Sequence, residues 1–79
     1  VSATQDAHTE HAVLGFVIEE LPCLMTVPEI VREIDPTDAD AVRRAVRSLL
    51  AAGLLRQEGA SLLPTRAAVR FERIWSVIQ

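Results

Sequence analysis

Apolar residues recur at helical spacing in four stretches of this chain, and between the third and fourth lie two short apolar pieces around Gly59. In the first stretch Val13, Leu14, Val17, Ile18 and Leu21 fall on one stripe. Asp6 is the expected N-cap, and Pro22 limits the helix because the residue before a proline avoids the α region. Gly15 weakens the helix somewhat. Phe16 lies off the stripe, nearly opposite it at about 100° per residue, so it packs on another element or meets a partner.

Cys23, Leu24 and Met25 read as a connector, after which Thr26 and Glu29 have the Thr-x-x-Glu spacing of a capping box. Pro28 is tolerated in the first helical turn. Val27, Ile30, Val31 and Ile34 then form an i, i+3, i+4, i+7 stripe, and Pro36 pushes Asp35 out of helical geometry. Thr37 is the expected N-cap of the third helix, residues 38–52, with Asp38 and Asp40 in the turn where the helix dipole favours acids. Val42, Ala45, Val46, Leu49 and Leu50 line its buried face, and Gly53 supplies the left-handed residue that ends it. The opposite face holds Asp40, Arg44, Arg47, Ser48 and Ala51, with Arg43 on its flank and an i, i+4 pair expected between Asp40 and Arg44.

Residues 54–58 read as a strand, 58–61 as a turn around Gly59, and 61–64 as the return strand, with Pro64 at a strand end or edge. Thr65 caps a last helix over 66–78, with Ala67, Phe71, Ile74 and Ile78 as its core face and Trp75 at the edge. The pattern predicts one domain over 1–79, mainly α with a small β-hairpin: a three-helix core, a two-stranded hairpin and a C-terminal helix.

Composition adds limits. Residues 1–36 carry seven carboxylates against Arg32, a net charge of −6, whereas residues 37–79 carry seven arginines against four carboxylates, a net of +3. A basic half that coincides with the third helix, the hairpin and the last helix suits a small nucleic-acid-binding module. The overall charge of −3 argues mildly the other way. Hydrophobic residues make up 49% of the chain, which supports a packed core, but 79 residues bury only about 60% of their unfolded surface, so association would help. No apolar run approaches the ~20 residues of a membrane span. Cys23 is the single cysteine, which excludes an internal disulfide and points to a reducing, cytoplasmic setting.

The phrases Val27-Pro28-Glu29-Ile30-Val31-Arg32-Glu33-Ile34, Leu50-Ala51-Ala52-Gly53-Leu54-Leu55 and Leu63-Pro64-Thr65 resemble the winged helix-turn-helix domain of bacterial and archaeal transcription regulators. The resemblance covers about residues 11–75. It implies that helix 38–52 is a recognition helix lying in a major groove of double-stranded DNA and that hairpin 54–64 is the wing. Carried over by position, Thr37, Asp40, Arg43, Arg44, Arg47 and Ser48 would face DNA, with Arg56 and Arg66 near the wing and its exit. The first and last helices, with Phe16 and Trp75, would form a homodimer interface. Asp38, Asp40 and the uncharged or acidic wing tip 57–61 depart from the favourable pattern, since carboxylates repel phosphates.

Each assignment has a plainer counterpart. The arginines of the third helix could be a solvated face, and Phe16 and Trp75 could pack within one chain. A winged-helix protein–protein interaction module within a larger assembly is the alternative to a DNA-binding regulator. His8, Glu10, His11 and Cys23 fall short of a defined metal-ligand set, and no cofactor motif is present. No Ser/His/Asp set, glycine-rich phosphate loop or evident carboxylate pair supports catalysis, so a binding protein is expected rather than an enzyme.

Overall fold

The backbone of residues 3–78 and the side chains of residues 6–74 are described by a computed structural model. Helix α1 runs Ala3–Glu19, strand β1 Met25–Thr26, helices α2 and α3 Val27–Ile34 and Ala39–Ala51, strands β2 and β3 Leu55–Glu58 and Ser61–Pro64, and helix α4 Arg66–Ile78. The protein is therefore mainly helical, with a small antiparallel sheet. That sheet has three strands in the order β1-β3-β2, one more than the expected hairpin. Met25 pairs with Leu62 and Thr26 with Ser61, so the end of the connector closes onto the hairpin. A two-residue strand is too short to show a period of two, which is why the pattern does not reveal it.

Local chemistry explains the element boundaries. The Thr26 N–H and hydroxyl both donate to Glu29 Oε1 at 2.9 Å, which closes the start of α2. The end of α3 is a full Schellman arrangement: Leu54 N–H donates to Leu49 O at 3.0 Å and Gly53 N–H to Leu50 O at 3.2 Å. Gly53 sits at φ 79°, a conformation that other residues adopt only with strain. Gly59, at φ 61°, is the first residue of the two-residue loop joining β2 and β3. Thr65 caps α4, accepting from Ala68 N–H at 3.3 Å, and ties it to α3 by donating to Gly53 O at 2.8 Å.

The core gathers Val13, Leu14 and Val17 of α1, Ile30 of α2, and Val42, Ala45, Val46 and Leu49 of α3. Leu55, Leu62 and Ala68 complete it from β2, β3 and α4. Val27, Val31, Ile34 and Leu50 pack against it part-buried, as their stripes require.

Three expectations change, and of the two places open to Phe16 the structure shows packing on other elements. Asp6 lies inside α1 rather than capping it, because the helix begins at Ala3. Leu21 falls beyond α1 and is 42% exposed instead of joining the stripe. Phe16 is part-buried and packs against the core, because α1 is covered by α2, α3 and α4 and its buried arc is wider than one stripe. The inward face of α4 passes through Ala68, fully buried, while Ala67 is exposed and Phe71 and Ile74 are 42% and 55% exposed. Trp75 and Ile78 have side chains outside the described residues. No helix among the described residues is long and apolar enough to cross a membrane.

Candidate nucleic-acid interface

The outward side of α3 is set by its inward side. With Val42, Ala45, Val46 and Leu49 buried, the 3.6-residue period leaves Asp40, Arg43, Arg44, Arg47, Ser48 and Ala51 exposed. The α2–α3 turn fixes where that face points. Asp35 Oδ1 accepts from the Thr37 hydroxyl at 2.6 Å and from the Thr37 N–H at 3.1 Å. These bonds, the hydroxyl first, hold the Asp35 carboxyl below its ordinary pKa. Thr37 thus braces the turn and is not the N-cap of α3. The cap is Asp38, whose Oδ1 accepts from Ala41 N–H at 3.1 Å.

The exposed arginines do not form a single row. Arg43 and Arg47 line a groove of about 210 Å³ between α3 and the sheet, with Val27, Leu50, Gln57 and Leu62. Arg44 and Ser48 lie on the other side, in a cleft of about 90 Å³ that Asp6 and Glu10 of α1 also line. Asp40 bonds Arg43 across i, i+3 at 3.4 Å, with side chains 84% and 55% exposed. The expected Asp40–Arg44 pair is absent among the described residues, Arg44 having turned toward α1.

The hairpin contributes little positive charge. Arg56 pairs with Glu58 at 3.0 Å near the tip, and Gln57 Nε2 donates to Gly59 O at 3.2 Å. Arg66 begins α4 beside Thr65, which is tied to Gly53 just beyond the C-terminal end of α3. Thr37 and Asp40 lie at the opposite end of that helix. Arg43, Arg47 and Gln57 therefore share one surface, Arg44 and Ser48 an adjoining one, and Arg66 belongs to neither. Phe16 is turned into the core's margin, and the side chain of Trp75 is outside the described residues.

Sequence reasoning does not single out Gln57, Asp6 or Glu10 as neighbours of these arginines, since tertiary packing alone brings them there. It also misses a contact between helices: His11 Nε2 lies 3.0 Å from Glu72 Oε1. No cluster of three or more His, Cys, Asp or Glu among the described residues could hold a metal ion. Comparison with family models, curated proteins and solved structures finds no match to this chain.

Proposed function

We propose that this chain is a winged-helix DNA-binding regulator of transcription in which α3 enters a major groove and the β2–β3 hairpin flanks it as the wing. The observation that carries the reading is the surface shared by Arg43, Arg47 and Gln57 between α3 and the sheet, beside the exposed Arg44 and Ser48. Arginine forks suit phosphate oxygens and guanine edges, and glutamine suits adenine. The order of elements, with a strand before α2 closing onto the hairpin, supports the same reading. A homodimer would set two half-sites about 34 Å apart, and the part-exposed Phe71 and Ile74 of α4 are one apolar edge that it would cover.

Titration of a mixed-sequence duplex against the protein across a salt series tests this. Three arginines neutralising phosphates give a slope of about −2.7 in log affinity against log salt per chain. Absent binding at low salt, or a flat salt response, refutes the reading. Arg44→Ala with Arg47→Ala should weaken binding and reduce the slope by about 2. Both side chains are exposed, so the thermal midpoint should stay nearly unchanged.

One observation favours the alternative of a protein-interaction module. Carboxylates temper several of the same cations: Asp40 on Arg43, Glu58 on Arg56, and Asp6 and Glu10 in the Arg44 cleft. A surface of mixed sign suits a polar protein partner, and failure of the duplex titration would select that reading.

A further inference from the structure

We propose that the cleft between the end of α1 and the first turns of α4 binds a small organic anion, a carboxylate carried on an apolar body. The cleft measures about 660 Å³, within the size range of small-molecule sites. Leu63, Pro64 and Val69 give it apolar walls, and Leu21 closes it from the α1 side. Leu21 is 42% exposed although it is large and aliphatic, so an apolar occupant has a surface to cover.

Arg66, Arg70 and Arg73 line the same cleft. Their i, i+4, i+7 spacing keeps them within about 60° of arc on one helix face. No carboxylate among the described residues pairs with any of them, in a chain that has eleven acidic residues to eight arginines. Three like charges on one stripe oppose helix formation. Arg66, at the first position of α4, also stands against the helix dipole, which favours anions at that end. A bound carboxylate relieves both penalties while guanidinium forks grip it with two parallel bonds. The stripe spans about 10 Å along the axis, the scale of one small molecule. The site is separate from the exposed face of α3 and stands whether or not that face binds DNA.

Decanoate is the test probe, titrated into the isotope-labelled protein while amide shifts are followed, with decanol as the uncharged control. Saturable shifts at Leu21, Leu63, Val69 and Arg70 with decanoate, and much weaker ones with decanol, are the expected result. Arg66→Gln with Arg70→Gln and Arg73→Gln should weaken decanoate by about tenfold or more. Arg70→Gln alone, at an exposed position, serves if the triple variant folds poorly, and should give a partial loss. Unchanged affinity in these variants, equal response to decanol, or shifts centred instead on Phe71 and His11 would overturn the proposal. Displacement of decanoate by duplex DNA would assign the arginines to nucleic acid and overturn it as well.

Discussion

Thr65 shows how much one hydroxyl can organise. It accepts from Ala68 N–H to start α4 and donates to Gly53 O at the end of α3, so a single side chain joins two helices. Thr65→Ala removes both bonds and should cost about 1–2 kcal/mol, read as a lower urea midpoint with an unchanged m-value. Thr26 and Thr37 act on carboxylates instead. The Thr26 N–H, then its hydroxyl, holds Glu29 below its ordinary pKa, as Thr37 does Asp35. The folded state therefore binds protons less readily at these sites than the unfolded chain does. Their contribution to stability is complete above the ordinary carboxylate range and is lost as pH falls below about 4.5 through the lower folded values. The thermal midpoint should decline over that interval, and Glu29→Gln or Thr37→Val should each flatten the decline; an equal slope in both variants would contradict the assignment. Caps of this kind are legible in a sequence because donor and acceptor are a few residues apart. The stretch Asp35-Pro36-Thr37-Asp38 is harder, since it offers two adjacent caps for α3. Engagement of the Thr37 hydroxyl by Asp35 leaves the role to Asp38.

Among the elements, α3 follows its sequence pattern closely and α4 does not. The α3 stripe is buried as its period predicts, because α1, α2 and β2 all contact this helix. In α4 the apolar stripe of Ala67, Phe71 and Ile74 is equally regular, yet Ala68 faces in. The tie from Thr65 to Gly53 and the approach of Glu72 to His11 turn the helix about one residue away from its stripe. A Cβ at Gly15 would stand 4.0 Å from Glu72 Oε1, an ordinary van der Waals contact, so this approach does not depend on glycine. Periodicity reports that a face is apolar; it does not report what covers it. The outward face of α3 was legible as a set of residues but not as two surfaces, because α1 and the sheet divide it. That division makes Asp40 informative. It bonds Arg43 and places a carboxylate at the helix end proposed to enter DNA. Asp40→Asn should tighten duplex binding several-fold at low salt while costing about 0.5 kcal/mol at most from the lost dipole and ion-pair interactions. Unchanged or weaker binding would remove α3's first turn from the interface.

For the molecule as a whole, the question is how firmly α4 belongs to the core. Four buried residues anchor α3, whereas Ala68 is the one fully buried side chain among the described residues of α4. Among the described residues the Thr65 cap and tie and the His11–Glu72 contact also hold it. Such an element opens locally at a lower free energy than the global transition requires. Its amides should therefore exchange with solvent through local opening, well before those of Val42, Val46 and Leu49. The exposed Phe71 and Ile74 add a second dependence. If that edge is the dimer surface, association covers it and raises the protection of α4 by mass action. Hydrogen exchange measured across a hundredfold range of protein concentration separates the possibilities. Protection of α4 that rises with concentration while α3 stays constant supports dimerisation through this edge. Protection that is low at every concentration leaves α4 a loosely held arm of a monomer. Protection equal to that of α3 throughout would mean that the helix is integral to a single chain's core, and the dimer surface would have to be sought elsewhere.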